Sequence, residues 1–251
     1  MQKLIIANWK CNPTTLKVVQ KMALELRKRI KKNPKIEIAV CPPFVYLSEV
    51  AKMFKGSSLR LGAQNCFWEE RGAFTGEVSP LMLKNLGVKY VILGHSERIM
   101  MVGETNEMIN KKVQTALRDG LFPVVCIGED ATERTEGKTF QILEQEFEQS
   151  LIMSKKIDWE RVVLVYEPLW AISTSSHSLG DCTADDALTA ALFLRKLVLN
   201  KAGQKAARNI KILYGGNVNA QNAEDYLLED GIDGVLVGAA SLDIKEFLAI
   251  C

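Results

Sequence analysis

The chain has 251 residues, of which 47% are hydrophobic and 25% charged, with a formal net charge of +2. This composition is typical of a globular protein, and the small charge gives no reason to expect nucleic acid or an anionic membrane as a partner. Six scattered cysteines without a Cys-x-x-Cys pair, and only two histidines, argue against a disulfide framework or a zinc site. The N-terminal segment turns polar too early for a signal peptide, and no apolar run is as long as a membrane span. We therefore expect a cytoplasmic protein with reduced thiols.

Short apolar segments rich in β-branched residues recur along the chain, and each ends at a polar or glycine-containing turn. They predict eight strands, at Leu4–Ala7, Ile36–Cys41, Leu59–Ala63, Tyr90–Leu93, Phe122–Ile127, Val162–Tyr166, Ile210–Tyr214 and Gly234–Val237. Most of these segments are apolar throughout, and they do not alternate regularly between apolar and polar residues. This pattern is typical of parallel strands that are buried on both faces.

Amphipathic stretches with helical spacing separate the strands. They predict helices at Thr15–Lys31, Phe44–Phe54, Glu104–Asp119, Thr139–Ile152, Ala184–Leu199, Ala220–Glu229 and Leu242–Ile250, and a short helix at Leu81–Asn85 that Pro80 opens. Repeated alternation of strand and helix indicates either a closed barrel or a doubly wound sheet. No G-x-G-x-x-G motif follows the first strand, which argues against a dinucleotide-binding sheet. No linker divides the chain, so we predict one α/β domain over residues 1–251, a (β/α)8 barrel.

Polar and glycine residues follow most of the predicted strands. They are Asn8 and Lys10 after the first, Gly94 to Arg98 after the fourth, Gly128 and Glu129 after the fifth, Glu167 to Trp170 after the sixth, Gly215 to Asn217 after the seventh, and Gly238 to Ser241 after the eighth. Taken singly, each has an ordinary explanation as a turn residue or a solvated side chain. In a closed barrel, however, the carboxyl ends of all strands meet at one mouth. The joint pattern therefore predicts an active site there.

The residue types at these strand ends suit one kind of chemistry. A carboxylate such as Glu167 can abstract a proton from a carbon next to a carbonyl, and His95 can polarise that carbonyl. Lys10 supplies positive charge for an enediolate or a phosphate, and the glycine-rich turns after the last two strands offer backbone N–H groups to a phosphate. The combination predicts a proton-transfer isomerase for a small phosphorylated carbonyl compound, and we expect it to use neither a metal nor a cofactor.

Longer motifs carry a resemblance that covers the whole chain in order. They are Ala7 to Lys10, Gly62 to Asn65, Gly72 to Glu77, Gly94 to Arg98, Cys126 to Glu129, Tyr166 to Ile172 and Tyr214 to Gly216. On these motifs the chain resembles the triosephosphate isomerase family. The resemblance implies interconversion of dihydroxyacetone phosphate and D-glyceraldehyde 3-phosphate through an enediol(ate), a reaction of glycolysis and gluconeogenesis.

The resemblance also implies a role for each catalytic position. Glu167 would be the base that moves the proton between C1 and C2, and His95 the neutral electrophile. Lys10 would anchor the substrate electrostatically, and Asn8 would orient it. Glu97 would pair with Lys10 or support the proton relay; an ion pair that is only structural, behind the site, explains it nearly as well.

Phosphate binding is the part of the family pattern from which this chain departs. The resemblance implies a lid over about residues 168–178, hinged near Trp170, whose backbone contacts the phosphate at position 173. Here the lid has Ser173 where the family usually has glycine, Asn217 replaces a serine, and Ala239 replaces a second glycine. The implied phosphate-binding set is Asn8, Lys10, Ser173, Gly215, Gly216, Asn217, Gly238 and Ala239.

The expected partners are a small phosphorylated triose and a second copy of the chain. Asn65–Ser79 is a long connection, and the resemblance implies that Thr75 reaches the partner subunit of a homodimer. Two other functions compete with the isomerase. A catalytically silent phosphometabolite-binding barrel would be expected to lose the base or the electrophile, yet Glu167 and His95 both stand in full motifs. Another phosphate-binding barrel enzyme would explain the glycine turns but not those two residues.

Overall fold

Eight parallel strands close into a barrel in which each strand pairs with the next along the chain and the last pairs with the first. The structure, a computed structural model, describes residues 2–152, 157–172 and 179–251. The strands are β1 (Lys3–Asn8), β2 (Ile36–Cys41), β3 (Arg60–Ala63), β4 (Val88–Leu93), β5 (Phe122–Ile127), β6 (Val163–Tyr166), β7 (Lys211–Tyr214) and β8 (Gly234–Val237). The predicted α/β barrel is confirmed, and strand ends differ from the predicted ones by at most two residues.

Helices connect the strands on the outside of the barrel. They are α1 (Leu16–Arg29), α2 (Leu47–Phe54), α3 (Pro80–Asn85), α4 (Ser96–Val102), α5 (Asn106–Arg118), α6 (Ala131–Thr135), α7 (Thr139–Phe147), α8 (Ala184–Asn209), α9 (Ala223–Leu228) and α10 (Ile244–Ile250). Short 3-10 turns lie at Phe44–Tyr46, Leu169–Ala171 and Ala239–Leu242. None of the helices within the described ranges is both long enough and apolar enough to cross a bilayer.

Two short helices were not predicted, and two predicted helices end elsewhere. Helix α7 ends at Phe147, and a π-helix continues the chain to the predicted end at Ile152. Helix α4 starts at Ser96, directly after His95, and ends at Gly103, whose φ of 70° stops the helix. Helix α6 starts with a capping box between Asp130 and Glu133. Neither has the buried apolar stripe that predicts a helix. Helix α8 continues ten residues past the predicted Leu199, with one non-helical residue inside it, Gly203.

The apolar residues of the strands form two layers. Alternate strand residues such as Leu4 and Ile6 of β1 belong to a cluster inside the barrel, while Ile5 and Ala7 pack in the layer between barrel and helices. Side chains alternate between the two faces of a strand, so a strand that is covered on both faces must be apolar throughout. Both layers end where the strands reach the mouth, and polar side chains begin there.

Candidate active site

A cavity of about 230 Å³ opens at the carboxyl ends of the strands and contains most of the predicted site residues. Its lining includes Asn8, Lys10, His95, Glu167, Gly215, Gly216, Asn217, Gly238 and Ala239. Glu97 is not among the lining residues but contacts Lys10 from behind. Ser173 lies outside the described residues. A larger cavity, of about 590 Å³, lies at the amino ends of β2 and β3 and contains none of the predicted site residues.

The carboxylate of Glu167 is buried directly after β6 and is held by the start of α4. The Ser96 backbone N–H donates to Glu167 Oε2 at 3.1 Å, and the Ser96 hydroxyl donates to Oε1 at 2.9 Å. His95 Nε2 lies 3.3 Å from the same Oε1 atom. Two donors of one residue thus fix the orientation of the carboxylate. The candidate base and the candidate electrophile are therefore adjacent.

The histidine has one ring nitrogen available to donate. The Glu97 backbone N–H donates to His95 Nδ1 at 3.3 Å, so the lone pair of Nδ1 is used as an acceptor. A ring that accepts at Nδ1 is neutral and carries its proton on Nε2. The Glu97 carboxylate, 3.8 Å from Nδ1, therefore forms no ion pair with this ring. The Nε2–H group faces the cavity beside Glu167 and is suited to polarise a carbonyl oxygen.

Lys10 is fixed by contacts at both its backbone and its side chain. Its φ of 50° is uncommon for a residue with a side chain. Asn8 Oδ1 accepts from the Lys10 N–H at 3.0 Å, and Gln64 Nε2 donates to the Lys10 carbonyl at 2.8 Å. The ammonium group is 2.6 Å from Glu97 Oε1. These contacts hold the left-handed backbone that aims the lysine along the cavity.

The turns after β7 and β8 border the cavity opposite Glu167. Neither Gly215 nor Gly216 leaves room for a side chain: a Cβ atom would stand 2.5 Å from Val165 Cγ1 at the first and 2.2 Å from the Tyr214 hydroxyl at the second. A Cβ atom at Gly238 would lie 3.3 Å from Lys10 Cε, so the lysine stem runs along the β8 turn. All three glycines line the cavity, so the main chain of both turns is open to it, as recognition of an anion by backbone N–H groups requires.

The base of the predicted lid is tied to Glu129. This fully buried residue follows β5, and its Oε1 atom accepts from the Tyr166 hydroxyl at 2.9 Å, Trp170 Nε1 at 3.0 Å and the Thr139 hydroxyl at 3.1 Å. The Arg134 guanidinium lies over the Trp170 ring at 4.9 Å. The carboxylate thereby connects β6, α7 and the first turn of the lid.

Three residues that shape the site carry no separate role in the sequence interpretation: Ser96, Gln64 and Glu129. All three lie inside the motifs that support the family resemblance, which is the only signal that points to them. Cys126 also borders the base, but burial and the Glu167 charge raise the pKa of its thiol well above its ordinary value. It therefore packs as a neutral group. Within the described ranges, no group of three or more His, Cys, Asp or Glu residues is placed to hold a metal.

Comparison with known proteins agrees with this geometry. The family model described as Triosephosphate isomerase matches residues 3–251. The chain is 46% identical over 251 residues to a protein named triosephosphate isomerase from Thermoanaerobacter pseudethanolicus, covering 100% of this chain and 99% of the relative. It is 44% identical to one from Caldanaerobacter subterraneus subsp. tengcongensis, with the same coverage. A third, from Dictyoglomus thermophilum, is 42% identical over 98% of this chain and 97% of its own length.

The match extends over nearly the whole chain, and the barrel brings the polar residues and glycines at several strand ends to one cavity. The chain belongs to the triosephosphate isomerase family.

Proposed function

We propose that this protein catalyses the interconversion of dihydroxyacetone phosphate and D-glyceraldehyde 3-phosphate by proton transfer through an enediol(ate). The observation that carries the proposal is the 3.3 Å approach of His95 Nε2 to Glu167 Oε1 at the edge of the cavity. Aldose–ketose isomerisation needs a base at a carbon next to a carbonyl and a donor at the carbonyl oxygen. The two groups stand side by side at the edge of the cavity, so that one small substrate can contact both.

In the proposed mechanism Glu167 removes a proton from one carbon of the triose and returns it to the neighbouring carbon. The Nε2–H group of His95 donates to the oxygen on which negative charge develops. Its Nδ1 atom accepts from a backbone N–H, which fixes the orientation of the ring. A donor that is held in place before the reaction stabilises the developing charge without reorganisation.

Lys10 and Asn8 supply the electrostatic part of the proposal. The Lys10 ammonium extends along the β8 turn and offers a cation to the phosphate and the enediolate, while Glu97 holds it in position. Asn8 supports the lysine backbone and also lines the cavity, which suits a residue that orients the substrate. We assign the phosphate to the turns that contain Gly215, Gly216, Asn217, Gly238 and Ala239, and to the backbone of Ser173.

We also propose that two copies form a homodimer. The loops after β2, β3 and β4 expose apolar side chains, and these strands are neighbours in the barrel. Val45 is 81% exposed, Phe74 42%, Met100 59% and Met101 77%. Apolar residues concentrated on adjacent loops are typical of a surface that a partner covers. Thr75, also exposed, lies in the middle loop, as expected for a residue that reaches the partner subunit.

A single catalytic domain over residues 1–251 and a cytoplasmic location complete the proposal. The eight strands share one barrel, and the six cysteines are free, which suits a reducing compartment. The reaction belongs to glycolysis and gluconeogenesis. No observation favours a silent phosphometabolite-binding barrel, because the base, the electrophile and the cation are all present.

The proposal is tested by a coupled isomerase assay with the purified protein in both directions. Formation of D-glyceraldehyde 3-phosphate from dihydroxyacetone phosphate, and the reverse, is the expected result. A folded protein that binds a phosphorylated triose without turnover would support the silent binding barrel instead. Activity only on a larger sugar phosphate would indicate a different barrel isomerase.

A further inference from the structure

A carboxylic acid that no proposed catalytic step uses lies behind the end of β5. Glu146 is half-buried near the end of α7, and its Oε2 atom accepts the backbone N–H of Gly128 at 2.9 Å. Gly128 is the first residue after β5, at the point where the barrel opens into the active-site mouth. The contact therefore connects an outer helix with the backbone at the rim of the site.

Gly128 in turn contacts the main chain that carries the proposed base. A Cβ atom at Gly128 would stand 1.9 Å from the Glu167 carbonyl oxygen and 2.5 Å from its carbonyl carbon. The Glu167 N–H donates to the Ile127 carbonyl at 2.9 Å, one residue before Gly128. The two backbone segments thus touch with no side chain between them. A shift of Gly128 would displace the backbone of Glu167.

The environment of Glu146 places its ionisation in the neutral range. Burial raises the pKa of this carboxyl to about 7, and the Gly128 N–H acts in the opposite direction. Three other carboxylates raise it further: Glu133 in α6, Glu167 after β6 and Glu129 after β5. Two cations on the helices next to α7 are already paired with other carboxylates. Arg134 of α6 pairs with Asp186 of α8, and Lys201 of α8 pairs with Glu148, the residue after α7.

We infer that Glu146 is a positioning residue for Glu167: its carboxylate holds Gly128, and Gly128 sets the backbone from which the base extends. The inference rests on the proposed isomerase function. Ionised Glu146 holds the Gly128 N–H by a charge-assisted bond, which is stronger than a bond to a neutral carboxyl group. The ionised form of Glu146 is therefore the more active one.

The inference is tested with two substitutions at Glu146 and one control. Glu146→Gln keeps an oxygen that accepts from Gly128 but removes the charge at every pH. Glu146→Leu removes the acceptor. Glu144→Gln removes a charge from an exposed position of the same helix and is the matched control. For each protein, kcat and KM for dihydroxyacetone phosphate are measured well below and well above pH 7.

Glu146→Gln is expected to behave at every pH as the unmodified protein behaves at low pH. The ratio of unmodified to variant kcat should be near one in acid. It should rise through an inflection near pH 7 to about three- to tenfold, because charge-assisted bonds are roughly twice as strong as neutral ones. KM should change little, and Glu144→Gln should match the unmodified protein throughout. Glu146→Leu should lose more kcat than Glu146→Gln at high pH. A constant ratio for Glu146→Gln would overturn the inference.

An amide resonance provides a readout that does not depend on turnover. The Gly128 N–H resonance should titrate near pH 7 in the unmodified protein and should not in Glu146→Gln, whether or not Glu146→Leu folds. If the protein is active but its Gly128 resonance does not titrate near pH 7, the inference is wrong and the proposed function still stands. A titrating resonance in a protein that does not isomerise the triose phosphate contradicts the proposed function instead.

Discussion

Ser96 donates both its hydroxyl and its backbone N–H to the carboxylate of Glu167, at 2.9 Å and 3.1 Å. Both donors come from the first residue of α4, which follows His95 directly. One strand-to-helix junction therefore supplies the proposed electrophile, His95, and two hydrogen-bond donors to the proposed base. Strand β6, which is separated from β4 by β5, supplies only the base itself.

Removal of the Ser96 hydroxyl should loosen the proposed base and slow the reaction. Ser96→Ala leaves the backbone donor to Glu167 in place but deletes the bond from the hydroxyl, and one hydrogen bond contributes about 0.5–1.5 kcal/mol. Because that bond helps to hold the carboxylate in position, kcat should fall by about two- to tenfold, and KM should change little. Steady-state kinetics of the folded variant beside the unmodified protein check this. An unchanged kcat would show that this bond does not position the base.

Glu129→Gln should destabilise the base of the lid. The single oxygen Oε1 accepts three hydrogen bonds from Tyr166, Trp170 and Thr139, and a glutamine oxygen can take its place. The amide NH2 group then stands where the buried Oε2 atom has no hydrogen-bond partner in the described part of the chain. A buried donor without a partner costs about 1–3 kcal/mol, which we expect as the loss in free energy of unfolding in urea. Glu136→Gln, on the exposed end of α6, is the control and should stay within about 0.5 kcal/mol. Equal stability of the two variants would contradict this account.

Lys10→Ala and Glu97→Gln should differ in severity. Without Lys10 the cavity loses the cation that the bound substrate and the transition state share, so KM should rise and kcat should fall by about 100-fold or more. Glu97→Gln keeps the cation and loses only a partly exposed ion pair, whose contribution is small, so kcat should stay within about tenfold. Steady-state kinetics of both variants distinguish a substrate anchor from a structural ion pair. Unchanged KM in Lys10→Ala would place the phosphate elsewhere.

Met101→Glu should weaken the proposed dimer. Met101 is 77% exposed on α4, and a charge there would have to be desolvated when a partner covers the loop. Sedimentation should show a dimer for the unmodified protein and a lower mass at the same concentration for Met101→Glu. Thr75→Arg, in the β3–β4 connection, should also lower the mass seen in sedimentation, and it should reduce the isomerase activity. Leu228→Glu is the control, because Leu228 is 75% exposed on α9, outside these loops. A monomeric unmodified protein with full activity would contradict the dimer.

The barrel could be predicted because parallel strands that are buried on both faces consist of continuous runs of apolar residues, which are recognisable in the sequence. Segments such as Phe122–Ile127 have the predicted bounds, since their apolar runs end at polar turns. Helix α8 was predicted only to Leu199, because the polar stretch beyond it and Gly203 interrupt the apolar pattern while the helix continues on the surface. Helix α4 was missed because its exposed methionines show no buried stripe.

The site residues could be named from the sequence, but their contacts could not. Position at a strand end predicts that Glu167 and His95 meet at the mouth. It does not predict that Ser96 holds the carboxylate, because that depends on where α4 begins relative to β6. The left-handed backbone of Lys10 could not be predicted from the sequence either. It is held by hydrogen bonds with the side chains of Asn8, in β1, and Gln64, after β3.

The central claim is that Glu167 is the base, and kcat of Glu167→Asp beside the unmodified protein tests it most directly. Aspartate keeps the carboxylate but withdraws it by about one ångström, and a displacement of that size at the reacting atoms costs on the order of 100-fold. We expect a folded variant with kcat lower by at least about that factor and KM changed less than about threefold, because the substitution leaves the proposed phosphate contacts of the β7 and β8 turns in place. A folded Glu167→Asp that keeps kcat near that of the unmodified protein would contradict the account.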